Sequence, residues 1–189
     1  MIPSRRVFDE FAADYDRWFD EHGSVYEAEV RMLGEAVPST GRGLEVGIGS
    51  GRFAVPLGVG YGIDPSCNLL KIAKSRNIAV VLGEGGYLPY RADSFDYVLM
   101  MTVICFLDDV EAVFREVNRV LRPRGMLVVG FIEKDGEIYR RYQHEPIKDR
   151  FLRFAAYWTV EEVTQFFRNA GFVQVSVIEK TRGHERAKL

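Results

Sequence analysis

Gly43-Leu44-Glu45-Val46-Gly47-Ile48-Gly49-Ser50-Gly51-Arg52 decides the fold of this chain. A short apolar run carries one carboxylate, and three glycines follow at alternate positions. Glycine has no Cβ, so it adopts positive φ and lets a ligand approach the backbone. Three of them at the end of a strand predict a tight turn whose amides face a ligand, with a helix N-terminus just behind. This is a nucleotide-type binding loop, and its neighbours must say which nucleotide.

Downstream, strands and helices alternate. Ser50 to Pro56 reads as a turn or two of short helix, and Leu57 to Ile63 as a second strand interrupted by Gly58 and Gly60. Asp64-Pro65-Ser66 closes that strand and opens a helix through about Lys74, with Ser66 as its cap. Ile78 to Leu82 is a third strand, and Phe95 to Met101 a fourth, apolar as strands covered on both faces are. An amphipathic helix over Asp108 to Leu121 stops at Arg122-Pro123-Arg124-Gly125, before a fifth strand over Met126 to Ile132. Glu133 to Phe154 has no clean period. Thr159 to Ala170 is a capped helix, and Phe172 to Ile178 alternates like an edge strand. Upstream, Val7 to Phe19 form a helix with an aromatic face. A second helix over Val25 to Val37 places Val25, Ala28, Glu29, Met32 and Leu33 at helical spacing. Strand–helix alternation implies right-handed crossovers and a mostly parallel sheet.

The totals exclude several classes. The 189 residues suffice for one domain with a full core. A net charge of −2 gives no bulk electrostatic footprint for nucleic acid or membrane. The longest near-apolar run, Tyr97 to Leu107, is too short to span a bilayer, and the N-terminus has no signal-peptide pattern. Cys67 and Cys105 form no disulfide framework, which fits a reducing cytoplasm. His22, His144 and His184 have no metal spacing and read as surface residues, so no metal is expected.

The glycines alone are ambiguous, because Gly49-x-Gly51-x-x-Ala54 also satisfies the dinucleotide pattern. Glu45, two residues before the first glycine, would repel a pyrophosphate and suits a cationic amine. Asp64 ends the second strand, where a carboxylate accepts from ribose hydroxyls. Glu84 follows the third strand, placed to accept from an adenine amino group.

With these features the chain resembles a class I S-adenosylmethionine-dependent methyltransferase of the small, single-domain, type 11 kind. The resemblance rests on five segments in register: the E-x-G-x-G-x-G loop, Tyr61-Gly62-Ile63-Asp64-Pro65-Ser66, Gly83-Glu84 with Leu88-Pro89-Tyr90, Ser94-Phe95-Asp96-Tyr97-Val98, and Glu116-Val117-x-Arg119-Val120-Leu121-Arg122-Pro123-x-Gly125. Phe8-Asp9-x-Phe11-Ala12-x-x-Tyr15-Asp16 is similar to the family's opening helix. The resemblance implies a Rossmann-like α/β three-layer sandwich with helices on both faces and an N-terminal helical cap. It divides the single domain into a cap over residues 1–40, a cofactor-binding core over 41–132 and a substrate-side segment over 133–189.

For the cofactor, the resemblance implies S-adenosyl-L-methionine and no metal. Glu45 would anchor the methionine amine, and the Gly47, Gly49 and Gly51 backbone would lie along the methionine moiety. Asp64 would hold the ribose, with Pro65 and Ser66 flanking the adenine. Glu84 and the Gly85 amide would take the adenine edge, where the family usually has aspartate then alanine. Met101 would face the cofactor. Tyr15 is either a core aromatic or a lid over the methionine end. The sulfonium is already an activated donor, so no strict catalytic residue is required. Tyr139, Tyr142, His144 and Glu145 are the acceptor-side candidates. The expected partner is a small-molecule methyl acceptor, with no nucleic acid and no membrane, in a cytoplasmic monomer or homodimer. A protein or nucleic-acid methyltransferase and a non-catalytic cofactor-binding protein are the alternatives. The family's sheet ends in an antiparallel hairpin, whereas this chain shows one clear strand there and then a short charged tail. Its final strand is expected to be missing, shortened or replaced, leaving the sheet edge open to a partner chain.

Overall fold

The computed structural model describes residues 3–144, 150–181 and 184–188. Its centre is an all-parallel sheet of β1 (Gly43–Val46), β2 (Tyr61–Asp64), β3 (Ala79–Leu82), β4 (Phe95–Met101) and β5 (Leu121–Gly130), in the order β3-β2-β1-β4-β5. The strand order reverses at β1, which pairs with both β2 and β4. Beyond the carboxyl ends of strands at such a switch point, adjacent connections diverge to opposite faces and leave a crevice.

Strand pleat sends alternate residues to opposite faces. Leu44, Val46, Val98 and Met100 enter one core with α5 (Val110–Val120) and α7 (Val160–Asn169). Tyr97 and Leu99 enter the other with α2 (Ala12–Glu21), α3 (Gly23–Ala36) and α4 (Cys67–Ser75). Helices thus cover both faces, as expected of a parallel sheet. The alternation also fixes Glu45: between Leu44 and Val46, it points to the α2–α3 face.

Local chemistry sets the helix ends. Ser66 Oγ accepts from the Leu69 amide and Asp109 from the Ala112 amide. Thr159 and Glu162 form a reciprocal capping box at the start of α7.

Several expectations are corrected. The aromatic-faced helix is two helices, α1 (Pro3–Glu10) and α2, broken at Phe11 with ψ 32. Residues 50–58 form successive turns rather than a helix, because Gly51 and Gly58 take φ of 82° and 69°. The second strand begins at Tyr61, not Leu57, and this turn segment occupies the difference. The fifth strand begins at Leu121: Phe95 pairs with Leu121 and Tyr97 with Met126, so Arg122 to Gly125 bulge out of the ladder. Phe172 to Ser176 is not a strand. Phe172 packs on Phe167 but Val173 is 96% exposed, and the segment pairs with no strand among the described residues. The C-terminal hairpin does form, as β6 (Val177–Thr181) and β7 (His184–Lys188), but as a two-stranded sheet separate from the central five. Between β5 and α7 lies α6 (Glu137–His144).

Candidate cofactor and acceptor site

The glycine loop does not present a row of free amides. Gly47 and Ile48 donate to the Ile63 carbonyl at 2.8 and 3.2 Å, and Gly51 donates to Ile48 at 2.9 Å. Gly49 donates to Asp64 Oδ2 at 2.8 Å, and Ser66 donates to Asp64 Oδ1 at 2.8 Å. With these amides spent and no helix behind the loop, the phosphate-cradle geometry is absent. The glycines serve close approach instead. A Cβ on Gly47, at φ 74°, would overlap Val103. A Cβ on Gly49 would lie 3.3 Å from the Tyr15 ring.

A cavity of about 380 Å³ opens beyond the strand ends, a volume suited to a cofactor-sized molecule. Of the expected residues, Tyr15, Gly47, Gly49, Asp64, Pro65, Ser66, Glu84, Gly85 and Met101 line it. Gly51 does not, and its missing Cβ makes room for Ile78. Glu45 does not line it either. It is 1% exposed, its Oε2 has no partner among the described residues, and burial pushes its pKa well up. An orphaned buried carboxylate is costly unless something charged or hydrogen-bonding meets it. Asp64 is 7% exposed, and burial raises its pKa to about 6 against the lowering effect of the Ser66 and Gly49 amides.

The cap closes over this cavity by specific contacts. Asp9 Oδ1 of α1 accepts from Ser66 Oγ at 2.8 Å and from the Asn68 amide at 2.9 Å. Arg5 donates to Glu84 across the mouth at 3.3 Å, and both side chains are partly exposed. Tyr15 sits at the junction of cap and loop, packed edge-on against Phe8, Phe19 and Phe151. Burial and the charges of Asp64, Glu45 and Glu29 push its phenol pKa far up, so it stays protonated.

A second cavity, about 110 Å³, lies under the cap on the Glu45 face of the sheet. Phe8, Tyr15, Met101, Thr102 and Phe106 line both cavities. Thr102 holds φ 51°, a left-handed backbone that a β-branched residue rarely adopts, and its amide donates to Gly130 at 2.7 Å. Such strain recurs at functional sites. Cys105 donates its thiol to the Thr102 carbonyl at 3.5 Å, and burial pushes its pKa up to about 12, which makes it a poor nucleophile.

Glu29 of α3 also lines the second cavity, and burial raises its pKa to about 7. Sequence reasoning gave it no function, although the signal was present: a carboxylate sat in line with apolar residues on one helix face. Arg5, Phe8, Thr102 and Phe106 were likewise missed, because only the tertiary arrangement turns them toward the cavity. Of the acceptor-side candidates, Tyr139 packs edge-on against Tyr157 at 4.9 Å and lines neither cavity. Tyr142, His144 and Glu145 lie outside the residues whose side chains the structure describes. His22 is exposed and stacks on Trp18 at 4.4 Å.

Glu29 yields a stability prediction. Its folded pKa, about 7, lies above the ordinary 4.5, so folding favours its neutral form. Its contribution is fully present below about pH 4.5 and is lost as pH rises through 7. Glu29→Gln should therefore stabilise the ligand-free protein at pH 8 by about 1–2 kcal/mol, allowing for partial exposure, and change little at pH 4.5. Thermal melts of both proteins at the two pH values check this, and an equal shift at both would refute the titration as its cause.

Comparison with known proteins agrees with this geometry. The family model described as a methyltransferase domain matches residues 44–129. The uncharacterized protein MJ1123 of Methanocaldococcus jannaschii is 35% identical over 92% of this chain and 84% of its own length. A Staphylococcus aureus demethylmenaquinone methyltransferase is 32% identical, covering 94% of this chain and 88% of the enzyme. A crystal structure from Thermotoga maritima, of a SAM-dependent methyltransferase described as a possible histamine N-methyltransferase, superposes with a TM-score of 0.88 at 35% identity. It covers 97% of this chain and 91% of that one. No helix among the described residues is long and apolar enough to cross a membrane. The switch-point cavity, its paired acidic residues and these relatives place the chain in the family of S-adenosylmethionine-dependent methyltransferases.

Proposed function

We propose that the chain methylates a small molecule held under its helical cap. The observation that carries this reading is the second cavity. It is lined in part by α1–α3 and shares the Tyr15–Met101–Thr102 wall with the larger one. A space of about 110 Å³ fits a small organic group. The relatives named for an acceptor, demethylmenaquinone and histamine, are also named for small molecules.

When bound, S-adenosylmethionine supplies an activated methyl group on a sulfonium. The residues fit it. Glu45 offers an unpartnered buried oxygen to its ammonium. Asp64 keeps lone pairs free beside the two amides it accepts, and these suit a ribose diol. Gly85 lines the cavity and packs against Val46 and Val113, where a Cβ would lie 3.0 Å from each. Glu84 at the mouth and the wall from Pro65 to Leu69 complete the adenosine side. The protein's own contribution is alignment and exclusion of water. Positioning of this kind supplies roughly 7–11 kcal/mol of a bimolecular barrier.

Calorimetry with S-adenosylmethionine, S-adenosylhomocysteine and NADH is expected to show binding of the first two alone. A methyl-release assay should then show turnover with low-molecular-weight acceptors and none with protein or nucleic acid. Binding of NADH without S-adenosylmethionine would overturn the cofactor assignment. Tight S-adenosylmethionine binding with turnover only on a macromolecule would overturn the acceptor class.

A further inference from the structure

We propose that the cavity bearing Glu29 is the acceptor subsite and takes the ammonium or amine head of a small organic amine, which the enzyme methylates on nitrogen with Glu29 as the residue that binds the head group and accepts its proton. This deepens the proposed function and rests on the small-molecule reading. Three independent features of the cavity select an amine.

The first is charge. Glu29 projects from α3 into a wall of Tyr15, Trp18, Phe19, Phe53 and Phe151, and among the described residues no Lys, Arg or His lines that cavity. The residue forms no ion pair or hydrogen bond among the described residues. Two guanidiniums on the same side of the sheet are spent elsewhere: Arg52 is bidentate to Asp16 and also pairs with Asp20, and Arg76 pairs with Asp16. A carboxylate enclosed by apolar groups without a cation is unfavourable until a cation arrives. An acidic acceptor would meet Glu29 with no cation among the described lining residues to offset the repulsion.

The second is the surrounding π density. A cation over aromatic faces gains attraction from the ring quadrupoles, and the gain is greatest where water is excluded. Phe8, Tyr15 and Phe151 form one mutually packed set, with centroid separations of 5.0–5.5 Å, and Tyr15 continues it to Phe19 at 5.3 Å. The Tyr15 phenol, buried and near the carboxyls of Asp64, Glu45 and Glu29, remains a neutral donor.

The third is position. The subsite meets the larger cavity at Tyr15, Met101 and Thr102, at the end where Gly47 and Gly49 underlie the methionine moiety in the proposed pose. An amine held by Glu29 therefore faces the methyl donor rather than the adenosine end.

The chemistry balances. The ammonium first gives a proton to the carboxylate, which frees the nitrogen lone pair. That pair forms the new N–CH₃ bond, and the electrons of the broken S–CH₃ bond return to sulfur, leaving a neutral thioether. The product leaves as the N-methylammonium, and Glu29 passes its proton to water.

The test uses the full chain saturated with S-adenosylhomocysteine, and calorimetry with 2-phenylethylamine, 2-phenylethanol and phenylacetate, three ligands of one shape and different charge. The amine should bind at least about 10-fold more tightly than the alcohol, and phenylacetate should not bind, in line with the loss of a charged hydrogen bond. Glu29→Gln should abolish the preference for the amine while leaving S-adenosylhomocysteine affinity within about twofold. Methyl transfer to the amine should fall at least about 100-fold in the variant. Equal binding of amine and alcohol by the wild-type protein overturns the proposal whether or not the variant folds. So does a preference for phenylacetate, or an amine preference that survives Glu29→Gln. Failure of S-adenosylhomocysteine itself to bind would instead strike the cofactor reading, and so the two failures are distinguishable.

Discussion

Replacing Asp64 with alanine is expected to weaken S-adenosylmethionine binding by about 1.5–3 kcal/mol, or roughly 10- to 150-fold in Kd. The carboxylate has two tasks. It holds the loop, by accepting from the Gly49 and Ser66 amides at 2.8 Å each, and it lines the cavity where we place the ribose. Alanine removes both, so a fall in melting temperature should accompany the loss of affinity. Asp64→Asn separates the tasks partly, because an amide keeps the shape but cannot accept at both positions. The pH dependence gives an independent check. Burial raises the Asp64 pKa to about 6, and hydroxyl donors bind the ionised form better. Wild-type affinity should therefore fall as pH drops through about 6, and the Asn variant should lack that component. Calorimetry across pH 5–8 decides the matter, and unchanged affinity in Asp64→Ala would place the ribose elsewhere.

The largest effect on stability is expected at Asp16. Its carboxylate accepts from Arg52 Nε at 2.9 Å and Nη2 at 3.0 Å, and from Arg76 Nη1 at 2.8 Å and Nη2 at 2.9 Å. Burial opposes ionisation, but the paired guanidiniums hold the carboxyl well below its usual range. Arg52 follows the glycine loop, and Arg76 caps α4 and donates to the Ser50 carbonyl at 2.6 Å. One side chain of α2 therefore ties the cap to both the loop and the helix after β2. Removing one partner from such a group leaves buried charge unpaired, a loss of about 3–5 kcal/mol when burial is complete. Here the groups are 16–25% exposed, and both arginines keep another acceptor. Asp16→Ala should thus cost about 2–3 kcal/mol, a fall of roughly 5–10 °C in Tm for a chain of this size. Asp20→Ala, whose carboxylate is 64% exposed, should shift Tm far less. Equal shifts in the two variants would refute the claim that Asp16 staples the cap. Since α2 also carries Tyr15 over Gly49, Asp16→Ala should weaken cofactor binding as well.

Much of this was legible in the sequence. β4 has the bounds its apolar run predicted, because a strand covered on both faces is built mostly of apolar residues. Ser66, Asp109 and Thr159 cap helices by contacts only a few residues long. Asp64 is the last residue of β2 and Glu84 stands two residues past β3, where a parallel sheet turns side chains toward its crevice.

Local chemistry was thus legible in the chain alone: period, caps, strand ends, and a glycine loop with a carboxylate in it. How those parts are used emerged from packing. It broke the first helix at Phe11, spent the loop amides on Ile63 and Asp64, and detached the C-terminal hairpin from the sheet. It also left Glu45 Oε2 without a partner among the described residues and set Glu29 among aromatic rings from distant segments. The reason is physical. A period or a cap is fixed by neighbours within one or two turns of chain, whereas the burial of a carboxylate depends on residues brought together from distant segments.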